Sequence, residues 1–346
     1  MKHFCEVVME GSTQKTSANS EMRNRVKTVL AYLHQNLCGK EEAVSISLLS
    51  AIASENILLL GQPGRDKSLI GRCTASAFKN FYKDGKFSIG NNDYFEYFMN
   101  GTENGTEFSD SRILFLDNIW AGSPDVLNPL LRCMEKDRVF SRMNYEKTPL
   151  CVIAGSSEAD PYIAAENRKF EALRESFALH IAVKPIANDN EFFKFTESPI
   201  FAPDPNEEQK AALFSIEEIK SWQPVIDRVT LSEEAKSVIS EIRRKCFDYY
   251  VSDSRWQRII HVLKACALLN GRSKVDLIDC LLIDYAIPNR FVEEILKQHA
   301  ADCKLDSRQH AQYKANIFTR QKYYEILKAS IDDTKLKLEH KTENLY

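Results

Sequence analysis

Four short runs of almost uninterrupted apolar residues constrain this chain most: NILLL (56–60), RILFL (112–116), LCVIA (150–154) and ALHIAV (178–183). Each has the length of a strand and lacks the polar alternation of a half-exposed one, as expected for a parallel sheet covered on both faces. Helical patterns separate most of them, notably SLIGRCTASAFKNF (68–81) and DVLNPLLRCMEKD (125–137). Strands alternating with helices predict an α/β domain. The aromatic run YFEYF (94–98) supplies a fifth strand. Upstream, Met22, Val26, Val29, Leu30, Leu33 and Leu37 recur at helical spacing, which predicts an amphipathic helix. The turn LCGKEEAV (37–44) then leads into a second helix through Leu48, Leu49 and Ile52.

After about residue 205 the pattern becomes helical throughout. Thr230-Leu231-Ser232-Glu233-Glu234 reads as a helix start, followed by Ala235, Val238, Ile239 and Ile242 on one face. A second helix runs through Trp256, Ile259, Ile260, Leu263 and Ala267, and a third covers Val275 to Ala286. The expected organisation is an N-terminal tail (1–20), an αβα core with a parallel five-stranded sheet (21–205), an all-helical domain (206–300) and a charged, helical C-terminal tail (301–346).

The bulk chemistry removes several function classes. Forty-six Lys and Arg against 49 Asp and Glu give a net charge of −3, so nothing drives the chain as a whole toward nucleic acid or membrane. No stretch approaches the roughly 18 apolar residues of a spanning helix, and no secretory signal is visible. The nine cysteines are scattered, without a C-x-x-C pair, which predicts reduced thiols in a cytoplasmic protein rather than a disulfide frame or zinc site.

The chemistry lies directly after the first strand. Residues 61–68 read GQPGRDKS, one residue short of the phosphate-binding pattern G-x-x-x-x-G-K-[ST], with Asp66 in place of the second glycine. Between a strand and a helix, such a loop cradles phosphates with backbone N–H groups at the helix N-terminus. Lys67 then reaches the β- and γ-phosphates and the Ser68 hydroxyl ligates Mg²⁺. ILFLD (113–117) has the form of a Walker B strand, whose Asp117 holds Mg²⁺ through water opposite Ser68. A carboxylate at position 66 repels phosphate unless it faces away or meets Arg65.

Together GQPGRDKSLIGR, FEYFMN, ILFLDNIW followed by LNPLL, and YVSDSRWQRIIHVLKACALLNGRS resemble the MoxR-type AAA+ ATPases, and most of all their RavA branch, over residues 21–290. The resemblance implies a RecA-like αβα core, a helical lid, and ATP or ADP with Mg²⁺ between them. It places Leu37 and Cys38 beside the adenine and Gly61, Gln62, Pro63, Gly64, Arg65, Asp66, Lys67, Ser68 and Leu69 around the phosphates. It also makes Arg255 a lid arginine on the γ-phosphate, while Trp256 reads as lid core.

The departures from the family cluster on catalysis. Asn118 stands where the family has the glutamate that activates water, Ser157 at the polar sensor position, and Ser176 at the arginine-finger position. An amide cannot take a proton, and general-base help is worth roughly 10²–10⁴-fold; an arginine finger is worth about 10³–10⁵. The short NGTENGTEFSDS (100–111) replaces a longer insert that lines the pore in RavA-like chains. The leading expectation is therefore an ATP-binding, hydrolysis-deficient subunit of a homo- or hetero-oligomeric ring, acting on an unidentified protein partner. The alternatives are a slow ATPase with a chaperone-like remodelling role, or an interaction protein whose loop is vestigial.

Overall fold

The computed structural model describes residues 21–35, 37, 39–64, 66–79, 89–90, 113–117, 119–121, 131, 134, 150–156, 168–197, 205–245, 251–287, 290–302 and 318. Helix α1 (21–35) turns its Val26, Val29, Leu30 and Leu33 inward, as their spacing requires. Helix α2 (Glu41–Ile52) is buried nearly all round, from Ala43 to its end, and packs on the helix Asp66–Ala75 and the strand Cys151–Ser156. The remaining elements of the sheet domain are β1 (Ile57–Leu60), α3 (Asp66–Ala75), β2 (Ile89–Gly90), β3 (Ile113–Leu116), β4 (Cys151–Ser156), α4 (Arg168–Glu175), β5 (Leu179–Ala182), α5 (Asp189–Glu197), α6 (Glu207–Ala212) and α7 (Ile216–Asp227).

The five strands form one parallel sheet in the order β2-β3-β4-β1-β5. The four apolar runs are its strands β1, β3, β4 and β5. The aromatic run 94–98 lies outside the described residues, as does most of 125–137; the fifth strand is Ile89–Gly90. On one face of the sheet Leu58, Leu114, Leu116, Val152 and Ala154 pack with Trp120, Met134, Leu173 and Phe177. Fully removing a side chain of this size from water is worth roughly 1.5–3 kcal/mol, and Ile57, Leu59, Phe115 and Ile153, which alternate with these residues along the strands, are buried as well.

The chain divides into two compact units. One contains residues Asn24–Val225 and Ser252–Val262; the other contains Met1–Arg23, Ile226–Val251 and Leu263–Tyr346. Helix α9 (Asp253–Leu269) gives its first half to the sheet unit and its second half to the other. The second unit also holds β6 (Thr230–Leu231), α8 (Glu233–Lys245), β7 (Lys274–Val275), α10 (Leu277–Cys280), α11 (Ile283–Ala286) and α12 (Arg290–Asp302). In α8 the buried residues are Ala235, Val238, Ile239 and Ile242, and the Ser232 hydroxyl accepts from Ala235 N–H at its start.

Residues 275–286 do not form one helix. Lys274–Val275 pairs with Thr230–Leu231 as a short parallel ladder, and Asp276 caps a new helix through a box shared with Asp279. Asp279 is fully buried and forms a two-pronged pair with Arg272 at 2.7 and 2.8 Å. The cap and the buried pair fix where the first short helix begins, and a turn at 281–282 separates it from the second.

Candidate nucleotide-binding site

All strands of a parallel sheet end on the same side, and a crevice forms beyond their carboxyl ends. Leu60 of β1 aligns with Ser156 of β4 and Ala182 of β5, and Asp117 follows Leu116 at the end of β3. The loop Gly61–Gly64 leaves β1 there, held by Gly61 N–H donating to the Ser156 carbonyl at 3.1 Å. A Cβ on Gly61 would lie 2.7 Å from the Val183 carbonyl oxygen, so the loop requires glycine at this position. Gln62, Pro63 and Gly64 are exposed, and Leu69 is half-buried one turn into α3.

Lys67 is 3% exposed. Its Nζ donates to the Gly61 and Gln62 carbonyls at 3.1 and 2.9 Å, so the ammonium lies folded under the loop from which it would reach a phosphate. The Ser68 hydroxyl donates to Asp117 Oδ2 at 3.4 Å. Gly155 makes this convergence possible, because a Cβ there would meet Asp117 Oδ1 at 3.0 Å and the Lys67 Cβ at 3.6 Å. A hydroxyl and a carboxylate this close, beside a helix N-terminus, are a donor set for Mg²⁺ carried by a phosphate chain. The residues present fit that ion.

Asp66 opens α3. Its carboxylate turns to Lys40, whose Nζ lies 3.1 Å from Asp66 Oδ2. The sequence suggested Arg65 for this role; Arg65 lies outside the described residues, and the partner comes from a segment 26 positions earlier. Leu37 is buried just before Lys40, and the Lys40 N–H donates to its carbonyl at 3.3 Å. Cys38, Asn118 and Ser157 lie outside the described residues.

Two expected site residues stand elsewhere. Arg255 is 0% exposed. Its Nε donates to the Phe177 carbonyl at 3.0 Å, one terminal nitrogen pairs with Glu175 Oε1 at 3.1 Å, and the other meets His180 Nε2 at 3.2 Å. Glu175 also accepts from Ser252 N–H, and Arg258 donates to its carbonyl. His180 pairs in register with Leu58, three residues before Gly61, which is roughly 10 Å back along the strand. Within its own chain Arg255 thus binds the amino-terminal half of β5, not the phosphate end. Burial, and then the positive Arg255 and Arg174, hold the His180 imidazole well below its usual pKa, so it is neutral and can accept from the guanidinium.

Ser176 is 1% exposed, and its hydroxyl donates to the Leu173 carbonyl at 2.6 Å. Asn56 Nδ2 donates to the Ser176 carbonyl. The position expected to carry a finger lies in the turn between α4 and β5, with its side chain buried within the chain. Trp256, read as lid core, is buried but belongs to the unit that contains the sheet.

Among the described residues no cluster of three or more His, Cys, Asp or Glu could hold a metal, no helix is long and apolar enough to cross a membrane, and Cys73, Cys151, Cys266 and Cys280 are buried free thiols.

The chain was compared with known proteins. The model of the MoxR domain in the MoxR-vWA-β-propeller ternary systems matches residues 24–196, half of the chain. The AAA lid domain matches residues 234–295. Two uncharacterized proteins of Methanocaldococcus jannaschii are similar: MJ0079 at 24% identity over 89% of this chain and 83% of its own, and MJ0812 at 25% over 68% and 64%. The chain thus spans about two thirds of the second relative's length. The crystal structure of a candidate ATPase from Cytophaga hutchinsonii superposes with a TM-score of 0.55 at 16% identity, covering 89% of this chain and 98% of that one; this likeness concerns the fold. With the MoxR-domain match over half of the chain, the matching lid sequence and the parallel five-stranded sheet, the chain belongs to the MoxR-type AAA+ proteins.

Proposed function

We propose that this protein binds ATP or ADP with Mg²⁺ at the Gly61–Ser68 loop and Asp117, turns ATP over negligibly by itself, and serves as a structural or regulatory subunit. The observation that carries the binding half is the approach of Ser68 to Asp117 at 3.4 Å, with Lys67 held directly beneath the loop. Lys67 and the backbone N–H groups opening α3 would hold the β- and γ-phosphates; Ser68 and Asp117 would hold the cation. Mg²⁺, when bound, offsets charge between the two phosphates.

Three substitutions support the loss of turnover. Asn118 cannot accept a proton from water, Ser157 replaces a planar amide that positions it, and Ser176 carries no charge. The Ser176 side chain is also buried within its own chain.

One observation bears on partners and one on the branch of the family. The matched domain model describes MoxR domains that occur with vWA and β-propeller proteins, and we propose a partner of one of these classes in addition to other AAA+ subunits. The VSDSRW and ILFLDNIW stretches favour the RavA-like branch. The nucleotide claim is tested by titration calorimetry of wild type and Lys67→Ala with ATP, with and without Mg²⁺. Magnesium-dependent heat in the wild type alone supports it; no heat at millimolar ATP overturns it.

A further inference from the structure

Position 66 is where a carboxylate does most harm to a phosphate site, since the helix N-terminus that would attract phosphate carries a negative charge of its own. The structure shows what offsets it. Lys40 is 6% exposed, unusual for a lysine that belongs to no other ion pair among the described residues. Its ammonium donates to the Lys184 carbonyl just after β5 and faces Asp66 at 3.1 Å. The backbone around Lys40 is tightly seated: a Cβ on Gly39 would lie 2.8 Å from Ile186 Cγ1, and the Gly39 N–H donates to Glu41. Three segments therefore meet at one cation: the turn entering α2, the exit of β5, and the first residue of α3.

We infer that Lys40 is a further positioning residue of the nucleotide site, which cancels the Asp66 charge and fixes the start of α3 so that a loop lacking its second glycine still accepts phosphate. The inference rests on the phosphate-loop reading above. Lys40 is buried while the Asp66 side chain is 46% exposed, so the cation is the fixed member of the pair: it draws the carboxylate toward itself and offsets its charge, to an extent that solvent screens. Lys40 thus acts through Asp66 and needs no contact with nucleotide.

The test is a double-mutant cycle read by Mg·ATP calorimetry: Lys40→Gln, Asp66→Asn and the pair together. Lys40→Gln keeps an N–H donor for the Lys184 carbonyl while removing the charge, and Lys40→Met removes both; thermal unfolding of each variant confirms that it is folded. Leaving Asp66 bare should weaken ATP about tenfold, the equivalent of one pK unit of repulsion, and the loss should shrink at higher salt. Asp66→Asn should bind like the wild type or up to about threefold tighter, and Lys40→Gln with Asp66→Asn should return to within about threefold of wild type. Unchanged affinity in Lys40→Gln, or a double variant as weak as Lys40→Gln, overturns the inference while sparing the loop. A wild type that binds nothing while Asp66→Asn binds ATP also overturns it, because Lys40 would then fail to cancel Asp66. Absence of binding in every variant, Asp66→Asn included, overturns the loop reading and this inference with it.

Discussion

Replacing Arg255 by methionine separates an anchor from a nucleotide contact. The substitution keeps an apolar stem in a fully buried site and removes the head group that serves Phe177, Glu175 and His180. The Phe177 carbonyl loses its guanidinium donor, which costs roughly 1–3 kcal/mol for a buried acceptor. Glu175 keeps the Ser252 N–H and the more distant Arg174 at 4.0 Å but loses its nearer cation, and breaking a buried pair on one side typically costs about 3–5 kcal/mol in total. With a sensitivity of about 2–4 °C per kcal/mol for folding units of roughly 150–250 residues, the size class of the unit that holds Arg255, that unit's melting temperature should fall by roughly 6–20 °C. Scanning calorimetry measures that fall, and ATP titration well below the transition should give an affinity within about threefold of wild type. A shift under about 2 °C together with a tenfold weaker ATP affinity would refute the anchoring argument and return Arg255 to the γ-phosphate.

Two other outcomes follow from the same neighbourhood. Below pH 6.5 the unfolded chain takes up a proton that buried His180, its pKa depressed, refuses. Stability should therefore be full above that pH and fall by up to about 1.4 kcal/mol per unit as pH drops; His34, lowered mainly by burial, adds to the slope. Urea midpoints between pH 7.5 and 5.5 should show the decline, and His180→Gln should flatten it. Ser176→Arg should lower the yield of folded protein and the melting temperature instead of restoring a finger, because a guanidinium at a 1% exposed turn has no route to solvent; a folded, hydrolytically active Ser176→Arg protein would show that this turn reaches an interface.

Much of the fold was legible because its signals are local. The four apolar runs became strands since doubly covered strands need no alternation, and α8 formed where Ala235, Val238, Ile239 and Ile242 define one face. The run 275–286 misled because helical spacing of apolar residues says nothing about Asp276 and Asp279, whose side chains prefer a cap and a buried arginine. In the site, Lys67, Ser68 and Asp117 could be read from motif and setting, since the loop and the strand end are each contiguous in sequence. The Lys40–Asp66 pair could not, because it depends on how two helix starts converge. Nor could the environment of Arg255: an arginine in SDSRW carries the same letters whether it faces a phosphate or Glu175. Only the burial and register of β5 distinguish the two.

The central claim is nucleotide binding without turnover, and the most direct measurement is phosphate release from Mg·ATP by the purified wild type beside Lys67→Ala, at protein and ATP concentrations where calorimetry shows the wild type saturated. Asn118 and Ser157 would serve one transition state, so their losses need not multiply, yet the missing base alone is worth roughly 10²–10⁴-fold. The account predicts release indistinguishable from the Lys67→Ala background. Sustained release by the wild type that Lys67→Ala abolishes would contradict it and make this protein a working ATPase.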